Sequence, residues 1–411
     1  MTTSAPVPPA PRRLLTPSLV FVLLVVAGLS AFVLNPRVQR QMGMSMSGVW
    51  FVDSYAVLAA SDAVQAGLDP FQPNPLDVIQ RPHSYSSWWF LLGELGFTRQ
   101  DNPLVGGLWV GAFLAAGFVL LRPCTYGAAL WGALLMLSPP VLLAMLRANN
   151  DLVVFVLLAA GVLAARTATP WRLVLFALGL TLATGLKFYP IIAGLALLLV
   201  RPPRLMLSAA ALTLLAAGGV LFSVRGDLRQ AAIPAPDSVH TLGAPVVFHD
   251  LGWIPGLTFG AGVLLLIVLA LLCWSRGWYL RLDEARGDGR DRLAFACGAA
   301  LLVGCFLAGI SHAYRFVFVL FLAPLLWRAA AGSFRSLPVG LTLAVVWFDG
   351  LYCLAANVPL SPAWLSDTLK QLWCWRLASQ PLVWVAMASL AATLLEMVRA
   401  AWADGRKEFR P

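Results

Sequence analysis

The side chains of this sequence that could do chemistry are one acid and three short clusters. The acid is Asp53, in the stretch 48–71, where Tyr55, Leu58, Ala59 and Asp62 follow at helix spacing and Gly67 is placed to supply a left-handed cap. A carboxylate at the start of a short helix can accept a proton, or it can simply complement the helix dipole. Asp62 and Asp69 are the alternative acids, and Asp69, in G-L-D-P, has the setting of a turn stabiliser. The first cluster, Arg147-Ala148-Asn149-Asn150-Asp151, offers a guanidinium, two amides and an acid in five residues. It can bind a polar head group, or Asn149 or Asn150 can cap the next helix, which alone would not require Arg147. The second, Thr184 to Pro190, holds Lys187 and Tyr189 at a tight turn between two short apolar runs. A lysine below the membrane surface needs an anion, and a lipid phosphate is the expected one; the structural alternative is a snorkelling lysine. The third, Ser311 to Phe316, places His312, Tyr314 and Arg315 together. A guanidinium that can hold two phosphate oxygens, beside an imidazole and a phenol, reads as an anion site with a proton donor or orienting group.

These residues must be positioned by membrane helices. The chain is 60% hydrophobic and 12% charged, with a mean hydropathy of +0.79, whereas a soluble domain carries about a quarter charged residues. The expected fold is all-α and polytopic, with about 12 spans (10–13), at 17–34, 104–121, 125–142, 151–165, 171–185, 188–200, 205–222, 254–274, 293–311, 313–328, 337–356 and 381–400. They form a single transmembrane domain, 17–400, between a Pro-rich tail, 1–16, and a second tail, 401–411. Most of the 29 basic residues fall in the short connections on one side, so both termini are expected in the cytoplasm. The net charge of +10 is thereby read as topology and not as a nucleic-acid surface.

That orientation leaves three long segments outside the cytoplasm, 35–103, 223–253 and 357–380. The first holds two helical patterns, 50–66 and 84–97, and Trp88, Trp89 and Phe90 suit the second to the membrane interface beneath Asp53. The second is rich in Pro and Gly and reads as a lid over a groove. Its His240, His249 and Asp250 lack the spacing of a helix-presented metal site, so metal independence and no cofactor are expected. The six cysteines read as small core residues, with Cys374 alone in an external loop. No phosphate-binding glycine loop or nucleophile elbow stands in a plausible context, which argues against a free nucleotide donor and serine hydrolysis.

An acid soon after span one, Asp53, then Ala66 to Phe71 (A-G-L-D-P-F), Lys187 to Pro190 (K-F-Y-P) and His312 to Phe316 (H-A-Y-R-F) resemble, in that order, glycosyltransferase family 87. The chain departs from that family's tyrosine at Phe71, and has Arg81-Pro82-His83-Ser84-Tyr85 where many members show tyrosine-proline-proline. The resemblance implies a C-superfamily enzyme of the cell envelope that takes a sugar, typically mannose, from a polyprenyl phosphate and gives it to a lipid or glycan acceptor. The implied setting is the outer side of a bacterial plasma membrane. Asp53 would be the general base and His312 would orient or protonate the phosphate. Lys187, Arg315, Tyr314, Tyr189, Arg147, Asn150, Asp151 and His83 would bind the lipid phosphate or sugar. Inversion would turn a β-linked donor into an α-linkage. The other classes are a transporter or flippase, for which internal repeats are expected and none is evident, and a polymerase or ligase of lipid-linked glycans.

Overall fold

The computed structural model describes residues 15–44, 48–165, 169–230, 241–250, 252, 254–280, 289–330, 337–357, 368 and 371–407. Nearly all of the expected tail 1–16 lies outside them, as do His240 and the side chains of His249 and Asp250. Helix α1 (Pro17–Val33) starts at a proline, behind a Thr16 hydroxyl that accepts the Leu19 N–H at 3.2 Å. After α2 (Pro36–Gln41), the first long loop folds α3 (Val52–Gln65), a 3-10 turn at Ser87–Phe90 and the single turn α4 (Leu91–Glu94). Next come α5 (Asn102–Leu121), α6 (Tyr126–Met136) and α7 (Pro139–Arg147). The last two occupy the expected span 125–142 but bend by 56°. Pro139 and Pro140 cannot continue the hydrogen-bond ladder of α6. Helices α8 (Asp151–Ala164) and α9 (Pro170–Leu186) lead into a 3-10 helix, Tyr189–Leu199, and then α10 (Pro203–Ser223). The remainder is α11 (Arg225–Gln230), α12 (Pro245–Asp250), α13 (Pro255–Ser275), α14 (Gly289–Ala308), a 3-10 helix at Ala313–Phe321, α15 (Ala323–Ala330), α16 (Leu337–Asn357) and α17 (Leu372–Lys407).

The chain is thus an α-helical membrane protein, but the described helices long and apolar enough to cross a bilayer number six, or seven if the bent α6–α7 pair is one span. The expectation of about twelve counts apolar runs, and several of these are too short. Helix α8, at 14 residues, reaches about 21 Å against a hydrocarbon core of about 30 Å. The runs 188–200 and 313–328 are wholly or partly 3-10 helix, 11 residues in the first and nine at the start of the second. In the segment 357–380, expected from sequence to be an external loop, α17 is already helical from Leu372, so Cys374 lies in a helix. The all-α expectation has one small exception, an antiparallel pair of two-residue strands, β1 (Thr241–Leu242) and β2 (Ser311–His312).

Helix α14 is the centre of the bundle and packs on both long 3-10 helices. Gly298 permits that approach, because a Cβ there would stand 2.8 Å from the Phe318 carbonyl oxygen. Helices α10 and α13, by contrast, leave Leu207, Leu214, Leu215 and Leu264 exposed, as lipid-facing helices do. The first long loop is held onto the bundle. Trp89 is buried instead of interfacial, its Nε1 donating to the Leu186 carbonyl at 3.0 Å, and Trp88 covers Gly185 so closely that a Cβ there would clash. Asp227 of α11 accepts the Ser87 N–H at 2.7 Å, which ties α11 to the first long loop.

Candidate functional site

Asp53 sits in the first turn of α3 and is 2% exposed. One carboxylate oxygen accepts from Arg147 Nη2 at 2.7 Å and Arg81 Nη1 at 2.9 Å; the other accepts from Arg147 Nε at 2.9 Å and Asn149 Nδ2 at 2.7 Å. Burial pushes the acid up, but Arg147, Arg81 and Asn149 outweigh it and hold Asp53 well below the usual carboxylate range. The position of Asp53 at a helix N-terminus acts in the same direction. Arg81 is itself fixed by Asp77, at 2.8 Å, and by the Val52 carbonyl, at 2.7 Å.

Backbone strain surrounds this carboxylate. Four non-glycine residues have positive φ among those described, and three adjoin the site: Phe51 two residues before Asp53, Gln80 just before Arg81, and Ala148 between Arg147 and Asn149. Each left-handed residue redirects the chain at a cost, and such strain persists only where surrounding contacts enforce it. For Phe51 those contacts are visible. Its N–H donates to the Leu146 carbonyl at 3.2 Å, and its ring covers Gly106 of α5, where any side chain would collide.

Asn149 joins this carboxylate to a second centre. Its Oδ1 caps the Asp151 N–H at 2.9 Å and lies 3.4 Å from Lys187 Nζ, so capping and side-chain recognition occur together. Lys187, 6% exposed, also donates to Asn150 Oδ1 at 2.8 Å and Asp151 Oδ1 at 2.5 Å. Tyr189 donates its hydroxyl to the same Asp151 oxygen. The ammonium lies over the rings of Tyr85, Tyr314 and Tyr189 at 5.1, 5.6 and 5.9 Å, and the Arg315 guanidinium lies 4.6 Å from the Tyr189 ring. Three buried polar atoms here have no hydrogen-bond partner: Asn150 Nδ2, Asp151 Oδ2 and Arg315 Nε. Native interiors hold few such atoms, and each calls for an explanation.

Asp53, Arg147, Asn150, Asp151, Lys187, Tyr189, Tyr314 and Arg315, expected from sequence to act together, therefore form one connected network. The two histidines do not join it in the same way. His83 is buried in an aromatic cluster with Phe90, Tyr85 and Phe71, with Nε2 at 3.2 Å from the Ser86 carbonyl, and burial pushes its imidazole down to about 4. The ring packs the loop, and it meets the network's Tyr85 edge to face at 5.6 Å. His312 pairs through its backbone with Thr241, and its ring lies 5.4 Å from Tyr314. The bonds of Asp53 and Lys187 run to other residues. Asp62 is paired with Arg99 at 2.7 Å, and Asp69 accepts the Phe71 N–H at 2.9 Å, a turn contact.

Arg81, Asp77 and Tyr85 belong to the site without a strong sequence signal. Asp77 and Arg81 are four residues apart in a polar loop, and Arg81 meets Asp53 across 28 residues of chain. Among the described residues no group of three or more His, Cys, Asp or Glu side chains could hold a metal ion. In comparisons with known proteins the chain matches no family model, no curated protein and no solved structure.

Proposed function

We propose that the chain is a membrane glycosyltransferase that moves a hexose, mannose by its resemblance, from a polyprenyl-phosphate donor to a lipid or glycan acceptor. The reaction takes place on the non-cytoplasmic face of a bacterial plasma membrane. One observation carries this reading. In an apolar helical bundle, the cations Arg81, Arg147, Lys187 and Arg315 gather against the carboxylates Asp53, Asp77 and Asp151, and two of the unpartnered buried atoms, Arg315 Nε and Asn150 Nδ2, are N–H donors. An excess of positive charge with unused donors suits an anion.

In this mechanism Lys187 and Arg315 hold the donor phosphate, and Asp53 takes the proton of the acceptor hydroxyl. The hydroxyl oxygen bonds to the anomeric carbon from the face opposite the phosphate. The bond to phosphate breaks, and the leaving polyprenyl phosphate keeps its electron pair. Asp53 cannot act while both its oxygens are saturated. Arg81 and Arg147, about a quarter exposed at 26% and 25%, are the partners able to turn toward a phosphate. Their departure would free a lone pair on Asp53 and raise its basicity, so that donor binding arms the base.

Transfer from a synthetic polyprenyl-phosphate mannose in detergent tests the reading. The parent is expected to form product. Arg315→Lys is expected to be roughly tenfold slower, since a planar fork stacked on Tyr189 becomes a point charge. A parent inactive across several sugars and acceptors would leave a transporter as the better reading.

A further inference from the structure

Asp349 of α16 borders a small hollow between α16, α17 and the 3-10 helix Ala313–Phe321, with β1 at one side. The hollow measures about 10 Å³, room for one water-sized body. Phe316, Phe348 and Trp375 give it apolar walls, and its other polar groups include Ser379 and Gln380 of α17. Asp349 accepts one hydrogen bond, on Oδ1 from Trp375 Nε1 at 2.8 Å, and no Lys or Arg among the described residues pairs with it. Ser379 and Gln380 are 2% and 6% exposed, yet the Ser379 hydroxyl and Gln380 Oε1 have no hydrogen-bond partner. Pro381 follows them and has no N–H to give the Leu377 carbonyl, so the backbone ladder of α17 is broken at the same place. An ionisable group inside an apolar span, beside two buried and unpartnered oxygens, is a functional feature unless some partner satisfies it.

We propose that this hollow binds one alkali cation, stripped of its hydration shell, between α16 and α17. Charge, ligand type and size all point to such an ion. A single carboxylate balances a single positive charge, whereas divalent ions are held by several acidic ligands or keep their waters. The carboxylate of Asp349, Ser379 Oγ and Gln380 Oε1 offer only oxygen, the ligand of hard cations. The space admits the bare ion and no water around it, so these oxygens must replace its hydration shell, as protein oxygens do in ion-selective membrane sites. Broken membrane helices hold Na⁺ in this manner. A water molecule would fit the same space but would leave the charge of Asp349 uncompensated in an apolar span. The site also shares a wall with the charged network. Ala313 and Phe316 line the hollow, while Tyr314 and Arg315 between them belong to the network. An ion there would fix α16 and α17 against the helix that carries the Arg315 guanidinium, whether or not the chain transfers a sugar.

The test is equilibrium binding of radiolabelled Na⁺, and of Rb⁺ in place of K⁺, to the full chain in phosphatidylcholine nanodiscs kept in choline chloride. Saturable binding is expected for the parent, at least about tenfold weaker for Asp349→Asn, and a few-fold weaker for Ser379→Ala. Ser379→Ala removes a hydroxyl that has no partner, so its melting temperature in choline chloride should match the parent's, and weaker binding cannot then be put down to misfolding. Added NaCl should raise the melting temperature of the parent more than that of Asp349→Asn. Binding of both labels would assign the site to alkali cations in general, and binding of one to that ion alone; either supports it. Equal binding by parent and both variants overturns it. So does the absence of saturable binding of both labels, which would leave a protonated Asp349 beside a water molecule. Displacement of the label by CaCl₂ at an about tenfold lower concentration than by NaCl would overturn the assignment to a monovalent ion.

Discussion

Asp53 accepts four hydrogen bonds, three of them from guanidinium groups, whereas Asp349 accepts a single bond from an indole. The first carboxylate lies in a loop helix and is neutralised by the protein's own cations. The second stands within a spanning helix with no counter-charge among the described residues. A pre-neutralised acid can be buried with little regard to ligand, and its chemistry waits on an exchange of partners. An under-bonded acid stays responsive to whatever enters beside it. The contrast teaches that the burial of a carboxylate says less about its use than the number of its lone pairs already taken.

The largest effect that can break this contrast is expected from Asp53→Asn. Transfer should fall by about 10²-fold or more, since the amide cannot take a proton. Stability should fall too, by up to roughly 3 kcal/mol, a figure reduced because Arg81 and Arg147 can turn partly to water. Asp349→Asn can keep its bond to Trp375 and should cost only about 1 kcal/mol. Equal losses in thermal denaturation would erase the distinction between the two acids. Next is Lys187→Met, which leaves Asp151 without its ammonium. Turnover should drop about tenfold while donor affinity falls less, because charge grows on the phosphate as the bond breaks. Parallel measurements of kcat and donor Kd decide it, and unchanged turnover would remove Lys187 from the site.

A smaller effect concerns pH. His83 has its imidazole at about 4 in the folded protein against an ordinary 6.5, so the unfolded chain takes up the proton first. Its stabilising contribution is present above pH 6.5 and is lost as the pH falls toward 4, up to about 2 kcal/mol between pH 7 and 5. Asp53 is shifted downward from 3.8, so its contribution survives this window and is lost only at lower pH. His83→Gln should therefore flatten the pH 7 to 5 slope of the melting temperature; an unaltered slope would place the titrating group elsewhere. The smallest effect is expected from Asp62→Asn. Its partner Arg99 is a third exposed, so the change should cost under about 1 kcal/mol and leave transfer intact. Loss of transfer would move the base from Asp53 to Asp62.

Much of the charged network is legible in the sequence because Arg147, Lys187 and Arg315 interrupt or border apolar runs, where charge is expensive. Arg81 is not, since an arginine in a polar loop is ordinary and its contact with Asp53 exists only after α3 and the loop close on each other. Asp349 does stand inside an apolar run, yet it lies alone, and clusters draw attention that single residues do not. The surroundings of the histidines are not legible at all. Their spacing suggests chemistry but does not show that the backbone of His312 joins the β1–β2 pair or that the ring of His83 packs in a loop core. For the fold, apolar runs mark the helices well but not their crossings, because hydropathy does not distinguish a full α-helix from a shorter 3-10 segment packed on α14.

Helix α17 runs for 36 residues, about 54 Å along its path, with Pro381 inside it, whereas the hydrocarbon layer is about 30 Å. Toward one end it carries Ser379 and Gln380, in one small hollow with Asp349 of α16; toward the other, the Ala401 carbonyl accepts from Arg201 Nε at 3.0 Å and the Trp402 ring lies under the same guanidinium. A strut longer than the slab that contains it, pinned near one end, transmits changes in slab thickness as tilt. The thickness of the surrounding lipid is thereby expected to act on the setting of Ser379 and Gln380 as a mechanical variable.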